Sequence, residues 1–325
     1  MSIITTRKEA LETVGKVIEH QSSMAIFCTA SHWNTEAILL AAKKFCDKYQ
    51  LETVPLAVAI TFNYPYMPQA QRITRCGNAK LGFQSIMEHL YLLSNSHDSP
   101  YRHISVLPHL DHADPERDGW ALTEGAKYLA SVMFDAQRYP TAANIAMTRD
   151  YVKEYGSDIL IEGIMEELTV ADKHVKADTV GMDAYPEKAA AYVKSTGVDF
   201  LVADLGTEQQ AANSGKVQYL QNRARELTGI LGRKMLVLHG TSSLNREQMS
   251  SLAGDGVVRV NMWTKIAREA GRYAASNLFK RAEALFGNDF EAVESNRYLM
   301  DSIDKASNLM LEIMETLNYQ NFAGK

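Results

Sequence analysis

The segment Pro108-His109-Leu110-Asp111-His112-Ala113-Asp114-Pro115 places two imidazoles and two carboxylates within eight residues. Titratable groups at this density mark a candidate site for acid–base or metal chemistry. Two neutral imidazoles and a carboxylate or amide suit Zn²⁺, with a position left open for a substrate oxygen. A Lewis acid there polarises a carbonyl while a nearby carboxylate moves the proton. Other groups could join this set: Asp135, Glu162, Asp204, His239 and Asn261 each lie at or near the end of a short apolar run. His239-Gly240-Thr241-Ser242-Ser243 offers small side chains, hydroxyls and backbone N–H groups suited to an anion such as phosphate. The plain alternative for the opening segment is a polar loop that caps a helix. For Arg259 and Lys265, which flank the last apolar run, it is solvation or pairing.

The elements that would position these groups alternate along the chain. Apolar runs at 24–29, 54–62, 104–111, 131–134, 158–164, 199–204, 234–238 and 256–262 read as buried strands. Between them, helical spacing covers 35–49, 81–93, 120–129, 142–155, 187–195, 217–227 and 246–252. A further helix is expected over 6–19, and helix dominates from Thr264 to the end. The polar stretch 166–185, with Asp172 and His174, reads as a long loop of the kind that carries function. Strands apolar on both faces that alternate with helices predict a parallel sheet covered by helices. No GxGxxG or GxxxxGK follows the first strand, so nucleotide-binding doubly wound sheets lack support. The expected fold is a (β/α)8 TIM barrel over about 24–278, preceded by one helix and followed by a helical extension over about 279–325. All of it forms a single domain. In such a barrel, catalytic side chains sit at the carboxyl ends of the strands, where the groups above fall. An ideal strand would point Asp111 and His112 to opposite faces. Both reach one pocket if the strand ends at Asp111.

Composition narrows the function classes. With 325 residues, 46% apolar and 22% charged, the chain can bury a large core. A net charge of −5 without a basic tract argues against nucleic acid, and no apolar segment approaches the ~20 residues of a membrane span. Cys28, Cys46 and Cys76 show no CxxC spacing, and the N-terminus lacks a signal-peptide pattern, so a cytoplasmic protein is expected.

The order and spacing of these segments resemble the class II, zinc-dependent ketose-bisphosphate aldolases, the fructose- and tagatose-bisphosphate group. The resemblance runs from about Ala25 to Ala275. It rests on His109-Leu-Asp-His112, on Ser131-Val-Met-Phe-Asp135 with Pro140, Asn144 and Thr148, and on Leu236-Val-Leu-His239-Gly240. Val258-Arg-Val-Asn261 with Thr264 completes it. The resemblance implies that Asp111 is the proton-shuttling carboxylate and that His112 and His239 are zinc ligands. Asp135 and Glu162 would stand behind those ligands or serve as alternative metal carboxylates. Gly206, Gly240, Ser242 and Thr264 would cradle phosphate, and Asn261 would bind substrate hydroxyls. The substrate would be a sugar phosphate, and a homodimer or homotetramer is expected.

The chain departs from the family pattern at three places. Where the family carries its third zinc-binding His, this chain reads Gly206-Thr207-Glu208-Gln209-Gln210, and no His stands between His174 and His239. Gln209, Glu162, Glu208 or His174 would have to substitute. A substrate-binding Asp of the family is Trp263, and the last Gly of its phosphate loop is Ser243. The expectation is a lyase that makes or breaks a carbon–carbon bond in a ketose phosphate, with a variant metal site. The alternative is a non-catalytic sugar-phosphate-binding or accessory subunit. A third route, a Schiff base on a lysine, would fall to Lys265.

Overall fold

In a computed structural model, which describes residues 3–165, 185–207, 219–287, 289 and 297–324, eight parallel strands close into a barrel. They are β1 (Met24–Cys28), β2 (Pro55–Thr61), β3 (Ser105–Ala113), β4 (Ser131–Phe134), β5 (Leu160–Ile164), β6 (Phe200–Val202), β7 (Leu236–Leu238) and β8 (Val257–Met262). Each pairs with its neighbours in sequence, and β8 returns to β1 through Ile26 beside Asn261. Closure rules out the doubly wound alternative and leaves no sheet edge to protect. It also gathers the carboxyl ends of all the strands around one mouth.

The helices are α1 (Arg7–Glu19), α2 (His32–Tyr49), α3 (Gln69–Ile73), α4 (Ala79–Asn95), α5 (Gly119–Leu122), α6 (Thr141–Tyr155), α7 (Tyr185–Thr196), α8 (Gln221–Leu231), α9 (Arg246–Ser251), α10 (Thr264–Lys280), α11 (Ala282–Phe286) and α12 (Arg297–Thr316). None is long and apolar enough to cross a membrane. Three expectations shift. The helix expected over 120–129 is the single turn α5 followed by a 3-10 turn at Ala126–Tyr128. The break falls at Thr123, φ −111° and ψ −86°, and the turn brings Gly125 so close that a Cβ there would lie 2.8 Å from the Ala121 carbonyl oxygen. Residues 69–73, for which no element was expected, form the short α3. The helix expected over 217–227 is α8, four residues later in the chain. The loop expected over 166–185 lies outside the described residues except for Tyr185.

Period-2 alternation divides each strand between barrel interior and helix layer. Interior positions include Ala57, Ala59 and Thr61 on β2, His109 and Asp111 on β3, Glu162 on β5, and Arg259 and Asn261 on β8. The barrel centre is thus partly polar. Arg259 and Glu162 are fully buried and form an ion pair there, Arg259 Nη2 donates to Ser131 Oγ at 3.0 Å, and His109 Nδ1 lies 2.8 Å from the same hydroxyl. The small side chains of Ala57 and Ala59 leave room for these larger groups.

The amino ends of the strands are closed by both termini of the described chain. Arg7 of α1 pairs with Asp199 and reaches the Ile159 carbonyl at 2.9 Å. The helix α12 packs on α2 and α10. Beyond it, the fully buried Tyr319 hydroxyl donates to the Pro55 carbonyl and accepts from the Ala25 N–H, both at 2.8 Å. The C-terminal helices therefore pack within the chain as an integral part of the barrel's casing.

Candidate metal centre and substrate pocket

The strand β3 does not end at Asp111. It runs on to Ala113, and its pairing with β4 shifts register between Leu110 and Ala113. Within that irregularity His112 takes a left-handed backbone, φ +50°. Such a bulge re-aims a side chain, and here it turns His112 to the face that Asp111 already occupies. Both line the same pocket at the barrel mouth. A non-glycine residue in this region stores strain, which recurs at functional sites.

Candidate ligand atoms of Asp111, His112 and His239 all lie within 4.8 Å of one another, and the three side chains are buried. His112 Nδ1 meets Asp135 Oδ2 at 2.7 Å, which fixes the imidazole's orientation. Its ring stacks on Tyr64 at 4.2 Å between centroids and meets His239 edge-on at 5.0 Å. Asp111 Oδ1, His239 Nε2 and Asn261 Nδ2 are buried without a hydrogen-bond partner among the described residues. Buried polar atoms of this kind cost free energy unless something binds them. The donor set fits a divalent metal: imidazoles and a carboxylate converge, with unpartnered atoms among them and an orienting carboxylate behind.

Electrostatics agree with that arrangement. Burial opposes ionisation of Asp111, but the His112, His239 and His109 imidazoles and the Asn261 amide outweigh it and hold the carboxyl below its usual range. Burial likewise disfavours the His112 imidazolium, yet Asp111 and Asp135 together raise it. For His239 burial dominates and pushes the imidazole down to about 4, so it stands neutral at pH 7, the form that binds metal. Burial pushes Glu162 up to about 7 against the opposing pull of Arg259.

The remaining expected residues distribute as follows. Gly240, Ser242, Asn261 and Thr264 line the pocket with Asp111, His112 and His239. Gly206 has φ +78° and its N–H donates to Asp204 Oδ1 at 2.9 Å; it is not among the lining residues. The next residue, Thr207, ties the two loops together by donating to the His239 carbonyl at 2.6 Å. Glu162 is held by Arg259, with His109 Nε2 at 3.7 Å, and lies apart from the three-residue cluster. His109 is a buried strut, as its bond to Ser131 shows. Asp204 sits beside Arg223 at 3.8 Å. Asn144 and Thr148 are bonded to each other, and Asn144 also holds the Ile164 carbonyl, so they dock α6 on β5. Glu208, Gln209 and His174 lie outside the described residues. Lys265 is exposed and lines not this pocket but the adjoining cleft between α9, α10 and α12, which shares Thr241, Ser242 and Trp263 with it.

Cys28 and Thr61 also line the pocket, and neither was singled out by type or spacing. The Cys28 thiol donates to Asn261 Oδ1 at 3.0 Å and lies 3.8 Å from Asp111 Oδ2. Burial and the Asp111 carboxylate keep that thiol well above its usual range, hence protonated. Both residues end interior-facing strands, β1 and β2, so the strand-end rule could have found them. Tyr64 and Met67 enter from the loop after β2 and Gln69 from the start of α3, where no pattern marked them.

Fold and site together define a parallel barrel with a carboxylate–imidazole centre at the carboxyl ends of its strands. The sequence profile of the class-II fructose-bisphosphate aldolases matches residues 9–322, and the chain belongs to that family. Among curated relatives, a 6-phospho-5-dehydro-2-deoxy-D-gluconate aldolase of Bacillus velezensis is 31% identical over 175 residues, 50% of this chain and 54% of that protein. A fructose-bisphosphate aldolase of Streptococcus pyogenes is 27% identical over 205 residues, 63% of this chain and 65% of its own. The chain thus spans about half to two thirds of the length of these relatives. Among solved structures, a fructose-bisphosphate aldolase from Campylobacter jejuni superposes with a TM-score of 0.78 at 16% identity, covering 98% of this chain and 96% of that one. That likeness is one of fold.

Proposed function

We propose that this protein is a metal-dependent aldehyde-lyase that makes or breaks a carbon–carbon bond in a ketose phosphate or bisphosphate. The observation that carries the reading is the convergence of Asp111, His112 and His239 with unpartnered buried atoms at the barrel mouth. His112 and His239 would hold a divalent ion, zinc or a close relative, with Gln209 as an alternative further ligand; Glu162, expected as another, is held by Arg259 outside the cluster. When bound, such an ion supplies the Lewis acidity that draws electron density toward a substrate carbonyl.

The chain's own residues do the rest. In cleavage, Asp111, kept ionised, takes the proton of the hydroxyl on the far side of the breaking bond, whose oxygen becomes the aldehyde, and returns it to the carbon beside the carbonyl; condensation runs the same transfer in reverse. Asn261, its oxygen occupied by the Cys28 thiol, presents its unpartnered Nδ2 as a donor to a substrate hydroxyl. Gly240, Ser242 and Thr264 would form the cradle for the phosphate oxygens. Tyr64 covers one face of His112 and limits water there. Trp263 lines the same pocket and supplies an apolar wall, so a substrate hydroxyl met by a carboxylate in relatives would meet a ring here. This narrows the substrate to one with less polarity at that position. The active unit would be a homodimer or homotetramer in the cytoplasm.

Trp263 also favours a second reading, a sugar-phosphate-binding accessory subunit without turnover. A retro-aldol screen over ketose phosphates and bisphosphates, with Zn²⁺, Co²⁺ or Mn²⁺ restored to chelated protein, separates the two. Metal-dependent release of an aldehyde, abolished in Asp111→Ala, is expected. Tight sugar-phosphate binding without cleavage under any metal overturns the lyase.

A further inference from the structure

We infer that Asp111 is itself the third protein donor to the metal, so that the centre is of the two-imidazole, one-carboxylate kind. The inference deepens the proposed function and rests on its reading of the pocket as a metal site. It replaces the search for a substitute imidazole with a group already in place.

Other nearby donors are engaged elsewhere. Glu162 Oε1 is held by Arg259 and His109 Nδ1 by Ser131, and their remaining atoms, Glu162 Oε2 and His109 Nε2, make no hydrogen bond but face each other at 3.7 Å in the barrel centre, outside the cluster. Asp135 accepts from Gln137 Nε2 at 3.0 Å as well as meeting His112. Among the described residues that leaves Asp111, His112 and His239, whose ligand atoms share one space. The Asp111 carboxylate is divided: Oδ2 has the Cys28 thiol at 3.8 Å, while Oδ1 has no partner and is buried beside two imidazoles. His239 Nε2 is likewise unpartnered. An ion bound between them would satisfy both atoms at once, and each would otherwise stay buried and unpaired, which costs stability.

The chemistry of the set is sufficient without further help. Two imidazoles and one carboxylate are a complete three-ligand shell for a catalytic zinc and leave an open position for a substrate oxygen. A carboxylate in place of an imidazole hardens the shell, so Mn²⁺ and Co²⁺ should compete with Zn²⁺ better than at an all-imidazole site. Asp111 has two oxygens, so ligation through one leaves the other to meet the substrate.

Metal-buffered titration of chelated protein with Zn²⁺ and Co²⁺ tests the assignment, on wild type and on Asp111→Asn and Gln209→Ala. One ion per chain is expected for wild type, a loss of affinity of more than about 100-fold for Asp111→Asn, and less than about threefold for Gln209→Ala. If Asp111→Asn does not fold, X-ray absorption of Zn²⁺-loaded wild type and Gln209→Ala takes its place. Two imidazoles with oxygen donors that are unchanged in Gln209→Ala support the assignment, and three imidazoles, or an oxygen donor lost in Gln209→Ala, overturn it. Asp111→Asn protein that keeps wild-type affinity but loses turnover also overturns it, while leaving the lyase intact. Wild type that binds metal through Asp111 but cleaves no ketose phosphate upholds the assignment and removes the lyase. Wild type that binds no ion contradicts both.

Discussion

At the scale of single residues, the centre depends on carboxylates that no substrate need touch. Asp135 fixes the His112 ring through its 2.7 Å contact with Nδ1. Asp135→Asn should lower metal affinity about 10- to 100-fold with the fold intact, measurable by competition with a chromophoric chelator. Deeper in the barrel, Arg259 and Glu162 are buried together, and each compensates the other's charge. Arg259→Met leaves Glu162 uncompensated and should cost about 3–5 kcal/mol in denaturant unfolding. Adding Glu162→Leu should recover much of that loss, because a hydrophobic pair needs no compensation; no recovery would assign the cost to packing instead. Asp111, His112, His239 and Asn261 were legible as site residues because they combine chemical type with a place at a strand end. Glu162 was legible by type, but its partner was not: only the closed barrel brings β5 and β8 side chains together across the interior. Cys28 and Thr61 carry no chemical label in sequence, and only their strand-end positions could have marked them.

At the scale of elements, β3 is where sequence reasoning and structure part most instructively. Alternation predicts opposite faces for Asp111 and His112, and an early strand end would have reconciled them. The chain instead continues the strand and bulges at His112, a backbone choice that side-chain types do not announce. The apolar strand cores were plain from composition, whereas the 119–128 region was not, because the break falls at Thr123 and brings Gly125 into a close backbone approach. In the turn after β3, Asp118 accepts from the N–H groups of Asp114 at 2.9 Å and Asn63 at 3.1 Å. Burial nevertheless pushes its carboxyl up to about 6 from 3.8. The folded chain then holds this proton more tightly than the unfolded chain, so its contribution to stability falls as pH rises through that window. Asp118→Asn removes the slope: relative to wild type, the variant should gain about 2–4 kcal/mol between pH 4 and pH 7. Urea unfolding at several pH values reads the difference, and a pH-independent offset would contradict it. The Tyr319 hydroxyl closes the amino ends of β1 and β2. Tyr319→Phe should cost about 1–3 kcal/mol by orphaning the Ala25 N–H and the Pro55 carbonyl.

At the scale of the whole molecule, the eight-fold alternation of strand and helix was enough to select the barrel, and the barrel alone brings residues from 28 to 264 to one mouth. Family membership and barrel closure fix the architecture, while the proposed chemistry and its substrate turn on Trp263 and on how a metal would be held. The central claim is that the buried Asp111 moves a proton beside a carbonyl held at a metal. Proton exchange reads this step without requiring the full substrate. In D2O, metal-loaded wild type should exchange the proton next to the carbonyl of a three-carbon ketose phosphate, followed by NMR. Exchange should vanish on chelation and return with metal. Asp111→Ala should remain silent. Exchange that persists in Asp111→Ala, or that ignores the metal, would contradict the account.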